Sequence, residues 1–260
     1  MSEESVGFDR AAEYYDRTRG FSPEAFDALM EVLVRELGCR GRCLEIGVGT
    51  GLLALALAER GVPMVGADIA RPMLEQLVAK SGGSAPFPLL QADATRLPFR
   101  DGSVGCAVFR HVLHLMPDWR GALAELVRVL RPGGRLVIVE GTFHQGSWWE
   151  LVSRFLSEAG DIPFGVGLDP RQMATAHEEL LALGARGGEI ASIPDHTRET
   201  TGEFLDQMEA GMHSWTWRTE EADRRRAVEA IRVWASKEYG SLEEPVSPDY
   251  RLVVRVYDLD

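Results

Sequence analysis

The segment Cys43-Leu44-Glu45-Ile46-Gly47-Val48-Gly49-Thr50-Gly51 constrains this chain more than any other. An apolar run, Cys43 to Ile46, reads as a short buried strand. It breaks into glycines at alternate positions, and LLALALAER then follows as a helix closed by Gly61. Glycine lets a backbone turn sharply and approach a ligand without a side chain in the way. The N-terminus of the helix behind it offers unpaired N–H groups and a favourable dipole to an anionic group. Such a turn serves equally as a packing turn or as the loop of a dinucleotide-binding enzyme, so the rest of the chain must decide.

The same unit recurs downstream. Met64 to Ala67 is expected as a strand and Arg71 to Lys80 as a helix. Leu89 to Ala92 and Val104 to Phe109 are further strands, Trp119 to Leu130 a helix, RPGG a turn, and Arg135 to Val139 a fifth strand. Alternation of this kind implies parallel strands joined by right-handed helical crossovers. Upstream, Ser22 and Pro23 open a helix with Phe26, Leu29, Met30, Leu33 and Leu37 on one face, closed by Gly38.

The second half is less regular. Asp169 and Pro170 start a helix reaching about Leu183, Glu189 to Ile193 is a strand, and Leu252, Val254 and Val256 alternate as in a final strand. Between these strands lie two helical segments. Thr200 with Glu203 forms a capping box for the first, and Ala227, Ile231 and Trp234 give the second an apolar stripe. A connection this long reads as a lid or recognition region rather than a plain loop. The expected division is therefore a core domain of residues 1–195 and 246–260 with a helical lid over 196–245.

Charge and cysteine usage exclude several classes. Against 40 acidic residues stand 28 Lys and Arg, a formal net charge of −12, so nucleic acid and anionic membrane are poor partners. Three cysteines, Cys39, Cys43 and Cys106, provide no disulfide framework and no zinc-ligand spacing, which fits a reducing, cytoplasmic setting with no metal. The start, MSEESVGFDR, is not a signal peptide, and charges interrupt every apolar stretch before it reaches spanning length.

The glycine spacing argues against a pyrophosphate. The dinucleotide fingerprint is G-x-G-x-x-G, whereas here Gly47, Gly49 and Gly51 alternate and Leu52 stands where the third glycine belongs. Glu45 would also repel a pyrophosphate, yet suits a ligand carrying an ammonium. Asp68 follows Gly47 by 21 residues, at the end of the next strand, where a carboxylate can accept both hydroxyls of a ribose. It can also cap the helix that follows, and the two roles are compatible. Turn and acid together indicate a cofactor containing adenosine.

These residues resemble the class I S-adenosylmethionine-dependent methyltransferases, within them the small-molecule group that includes ubiquinone and menaquinone biosynthesis enzymes. LEIGVGTG, GADIARPML and LQADATRLPF are similar to the family's first three motifs, and DGSVGCAV, HVLHLMPDW and LRPGGRLVIVE follow in its order, roughly from Phe8 to Glu140. The resemblance implies a doubly wound, seven-stranded, mostly parallel Rossmann-like α/β sheet with an antiparallel final strand. It implies S-adenosylmethionine as cofactor, with Glu45, Gly47, Gly49 and Gly51 around its methionine part. Asp68 would bind the ribose, Ile69 and Met73 would flank the adenine, Asp93 would face its amino group and Ala94 would supply a backbone contact. In AAEYYDRTR, Tyr15 and Arg19 would close over the cofactor.

The implied activity is methyl transfer to an O, N or C atom of a small molecule. The competing readings are an NAD-linked oxidoreductase and a protein that binds S-adenosylmethionine without transferring its methyl. His111 and His114, just after the fourth strand, are the candidate general bases, because histidine titrates near neutrality; capping and core packing are their alternatives. Arg110 beside them would supply a contact to the cofactor. Glu140, at the carboxyl edge of the fifth strand, either meets a ligand or caps the next helix. Trp148, Trp149, Trp215 and Trp217 are candidates to wall an apolar acceptor pocket; core packing explains Trp148 and Trp149 at least as well, Trp215 and Trp217 in HSWTWR would share a face if that segment is extended, and Arg224 to Arg226 read as a solvated helix face. Oligomeric state and acceptor have no signature in the sequence.

Overall fold

The computed structural model describes residues 15–17, 20–142, 147–195, 199–246 and 249–260. Arg19 lies outside them. Seven strands form one sheet: β1 (Cys43–Ile46), β2 (Met64–Asp68), β3 (Leu89–Gln91), β4 (Val104–Arg110), β5 (Leu130–Gly141), β6 (Ala185–Pro194) and β7 (Arg251–Leu259). Their order is β3-β2-β1-β4-β5-β7-β6. All neighbours from β3 to β5 pair in parallel, and β7 runs antiparallel to both β5 and β6. The expected doubly wound, mostly parallel sheet is therefore present.

Helices cover both faces. On one side α1 (Pro23–Leu37), α2 (Ala54–Glu59) and α3 (Arg71–Lys80) bury Leu29, Leu33, Leu57 and Leu77 against Cys43, Val108, Val137 and Val139. On the other, α4 (Trp119–Val129) and α6 (Met173–Ala182) bury Leu123, Leu126 and Leu180 against Leu44, Ile46, Phe109, Leu136 and Tyr257. Adjacent strand residues such as Cys43 and Leu44 thus enter opposite cores, as a sheet of period two requires. Ser22 caps α1 by accepting the Ala25 N–H at 3.2 Å, and Asp195 at the end of β6 holds the Ser22 N–H at 3.0 Å.

A third apolar cluster stands apart from these two. It joins α5 (Ser147–Glu158), α7 (Thr201–Glu209) and α8 (Glu221–Glu238), with Leu151, Phe155, Phe204, Leu205, Trp215, Val228 and Ile231 at its centre. The expected capping box is made: Thr200 Oγ1 accepts the Glu203 N–H and Glu203 Oε2 accepts the Thr200 N–H.

Five details differ from the sequence reading. RPGG is not a simple turn before β5; the strand already pairs at Leu130, opposite Val104, and resumes at Arg135, opposite Cys106, so 131–134 bulge out of the ladder. The second helix begins at Ala54 rather than Leu52, because the glycine turn consumes the first residues of the apolar run. Helix α5 is an additional element, although Trp148, Leu151, Val152 and Phe155 follow helical spacing. Arg224 is not on a solvated face: it is 9% exposed and donates to the carbonyls of Glu209 and Thr219. Finally, Ser214–Thr216 is a 3₁₀ turn, not an extended segment, so Trp215 and Trp217 do not share a face.

Candidate active site

Strand order reverses between β1 and β4, and ligands of open α/β sheets bind at the carboxyl edge of such a switch point. A cleft of about 640 Å³, open mouth included, lies there. Gly47 and Gly49 form its floor at positive φ of 64° and 54°. A Cβ on Gly47 would stand 2.3 Å from Val112 Cγ1, so no side chain fits at this position. Gly51 has a different role: it is not among the cleft-lining residues, and a Cβ there would meet Leu55 and Leu77 at 2.9 Å, which makes it a helix-packing glycine.

Asp68 closes the turn from the neighbouring strand. Its Oδ2 accepts the Gly49 N–H and its Oδ1 the Ala70 N–H, both at 2.8 Å. Each carboxylate oxygen has a second lone pair, so these bonds orient the group while leaving it able to accept hydroxyls. Ile69, 39% exposed, and Met73, 2% exposed, line the cleft beside it. Across from them sits Asp93, oriented by the Thr95 N–H and hydroxyl at 2.9 Å each, and followed by Ala94.

Glu45 lies beneath the turn, 4% exposed, and its Oε2 is buried without a hydrogen-bond partner. Burial pushes its carboxyl well above the usual range, the Asp68 charge adds to that rise, and Arg110 opposes it. A buried, partnerless carboxylate oxygen suits a ligand that carries a positive charge. Glu45 is not among the residues that line the cleft, so the fit to S-adenosylmethionine rests on the backbone cradle that a Cβ would fill and on the Asp68 carboxylate beside it.

Residues 15–17 lie against the turn. Tyr15 lines the cleft, Asp16 accepts the Thr50 hydroxyl at 2.5 Å, and Lys80 pairs with Asp16 at 2.8 Å. Lys80 belongs to no motif, whereas Asp16 lies beside Tyr15 within AAEYYDRTR.

A second, larger cavity of about 2770 Å³, open mouth included, adjoins the cleft, and Tyr15, His111 and Val112 line both. His111 stands at this junction with a φ of 52°, in the left-handed region that non-glycine residues seldom adopt. His114 and Arg110 line only the larger cavity. The Arg110 guanidinium lies 4.3 Å above the Phe21 ring, and the His114 ring is 5.6 Å from Phe164. Trp148, Phe164, Trp215 and His213 wall the far side, and Glu140 and Tyr250 also line it. Trp217 does not join them; its indole N–H donates to the Gly211 carbonyl at 2.8 Å.

Comparison with known proteins adds a decisive match: the family described as "Methyltransferase domain" aligns with residues 44–138, from β1 through most of β5. Over that stretch the chain is similar to the family. A demethylmenaquinone methyltransferase of Clavibacter sepedonicus is 36% identical over 139 residues, 52% of this chain and 57% of that protein. Another, from Thermus thermophilus, is 44% identical over 102 residues, 38% of this chain and 46% of that protein. The chain thus spans about half the length of these relatives. The YcgJ protein of Bacillus subtilis superposes with a TM-score of 0.60 at 22% identity, covering 90% of this chain and 97% of that one, which establishes a shared fold. The shared fold and the matched stretch make the chain similar to S-adenosylmethionine-dependent methyltransferases, among them those named for demethylmenaquinone. Among the described residues no helix is long and apolar enough to cross a membrane, and no cluster of His, Cys, Asp or Glu could hold a metal ion.

Proposed function

We propose that this protein transfers a methyl group from S-adenosylmethionine to a small molecule held in the larger cavity. The observation that carries this reading is the meeting of the two cavities at Tyr15, His111 and Val112: one is floored by the glycine turn and Asp68, the other is walled by aromatic side chains. S-adenosylmethionine, when bound, supplies a methyl already activated on a sulfonium. The protein's task is then to hold the acceptor in line, exclude water and accept a proton.

Glu45, Gly47 and Gly49 would hold the amino-acid end, Asp68 the ribose, and Ile69, Met73, Asp93 and Ala94 the adenine. His111, at the junction, would receive the acceptor's proton on its imidazole, while Val112, Leu115 and Met116 keep water from the cleft. His114 and Trp215 would shape the acceptor's bed. The lid comprises residues 196–245 together with α5, because α5, α7 and α8 share one apolar cluster distinct from the two sheet cores. The oxidoreductase and non-catalytic readings gain no support from the methyltransferase relatives.

Two measurements test the proposal. Titration calorimetry should show binding of S-adenosylmethionine and S-adenosylhomocysteine but not NAD. Mass spectrometry should show a gain of one methyl on an acceptor; reduced demethylmenaquinone is the first to try, given what two relatives are named for. Absence of cofactor binding removes the proposal.

A further inference from the structure

The larger cavity carries information about its ligand that the cofactor cleft does not. At the carboxyl end of β5, Glu140 lines this cavity with a side chain only 15% exposed. His177, on α6, places Nε2 at 3.0 Å from Glu140 Oε1. The hydroxyl of Tyr257, on β7, is 2.8 Å from His177 Nδ1. Tyr257 is 1% exposed, and burial pushes its hydroxyl up to about 12, so it keeps its proton at neutral pH. A phenol O–H donating to Nδ1 leaves the imidazole proton on Nε2, on the side of the carboxylate. The contact at Oε1 is close but not aligned as a hydrogen bond, so this buried oxygen keeps its capacity to accept one. Glu140 is thereby confined by groups from two other elements. Arg255 lies 3.5 Å from Glu140 Oε2, but it is shared with Glu189 at 3.3 Å and neutralises neither fully.

Among the described lining residues of the cavity, carboxylates outnumber guanidiniums. Its described lining includes the carboxylates Glu24, Glu140 and Glu199 and one guanidinium, Arg110, which lies over the Phe21 ring and whose buried Nε has no hydrogen-bond acceptor among the described residues. No lysine is among the lining residues described. In the same cavity, Trp215 stacks on His213 with centroids 5.1 Å apart and on Phe164 at 6.2 Å. A flat apolar body fits against those rings, and a group that donates hydrogen bonds fits against the carboxylate.

We propose that Glu140, positioned by His177 and Tyr257, anchors a hydrogen-bond-donating head group of the acceptor, a protonated amine or a hydroxyl, in preference to an anionic one. The anchored group is distinct from the atom methylated, because Glu140 lines the larger cavity alone whereas His111 lines both. The acceptor class is therefore an aromatic-bodied molecule with a neutral or cationic polar substituent away from the reacting atom. This assignment rests on the larger cavity being the acceptor site.

The test needs no knowledge of the natural acceptor. Three probes with one aromatic body and different heads, 1-naphthylmethylamine, 1-naphthalenemethanol and 1-naphthoate, are titrated against the full chain by quenching of tryptophan fluorescence. The amine is expected to bind at least about tenfold tighter than the carboxylate, with the alcohol between them. Glu140→Gln should weaken the amine by about tenfold and abolish the ratio, Glu140→Asp should restore part of it, and Tyr257→Phe should weaken the amine by about threefold. A general attraction from the net charge of −12 would instead leave the ratio unchanged in Glu140→Gln and decline evenly with salt. Equal affinities in the wild type, an unchanged ratio in folded Glu140→Gln, or no saturable binding of any probe overturns the proposal. S-adenosylhomocysteine calorimetry on the same samples separates its failure from failure of the methyltransferase reading, since that ligand addresses only the cleft.

Discussion

Asp68 Oδ2 accepts the Gly49 N–H at 2.8 Å, so the acid that ends β2 holds the glycine turn that follows β1. One carboxylate thus both shapes the cradle and faces the cleft. Asp68→Ala is expected to weaken S-adenosylhomocysteine binding by about 1–3 kcal/mol, through lost hydrogen bonds and a loosened turn. Calorimetry reads the affinity and circular dichroism the fold; unchanged affinity in a folded variant removes Asp68 from the site.

Gly47 is required by contact as well as by backbone conformation. Gly47→Ala places a methyl 2.3 Å from Val112 Cγ1 at a φ of 64°. It should destabilise the protein by about 2–4 kcal/mol in urea titrations, from strain and overpacking together. Gly47→Ala with Val112→Ala should recover the packing part and leave the strain.

Glu45 makes the unliganded protein sensitive to pH. Burial raises its folded pKa above the unfolded value, so the associated stability is fully present below the unfolded pKa and is lost as pH rises through the folded one. Glu45→Gln should therefore flatten the decline in melting temperature towards alkaline pH, and, on the proposed assignment of Glu45 to the cofactor's ammonium, should weaken S-adenosylmethionine by about tenfold. A variant with the wild-type pH profile would contradict this.

His111 combines a strained backbone with a place at the junction. Asparagine tolerates left-handed φ, so His111→Asn should keep the melting temperature within a few degrees while lowering methyl transfer by about 10²–10⁴-fold. Loss of folding without a separate loss of rate in the folded fraction would assign His111 to structure.

Neighbouring arginines on α8 should differ sharply. Arg224→Ala leaves the carbonyls of Glu209 and Thr219 without their buried donor and should cost about 1–3 kcal/mol of stability by urea denaturation. Arg225→Ala and Arg226→Ala, at exposed ion pairs, should change it by less than about 1 kcal/mol.

Strands β1, β2 and β4 and helices α1 and α3 are legible in the sequence because local chemistry specifies them: apolar runs of strand length, a proline at a helix start, glycines where the chain must turn. Gly47, Gly49, Asp68, Ile69, Met73, Asp93 and Ala94 are legible as a set for the same reason, since the motifs lie at strand ends that converge on one edge. The role of Gly51 is not, because only the positions of Leu55 and Leu77 reveal it as a packing residue.

What the residue order alone determined is a parallel α/β core with a glycine cradle and an acid at the end of the second strand. Only the tertiary structure decided that Arg224 is buried, that Trp215 reaches the cavity while Trp217 turns to Gly211, and that Glu140 is confined by His177 and Tyr257. The physical reason is separation along the chain: Tyr257 and His177 are 80 residues apart, and their contact exists only because β7 inserts beside β5 beneath α6. Periodicity and caps are written within a few residues of the element they shape. A polar network across three elements is written nowhere locally, and the packed sheet creates it.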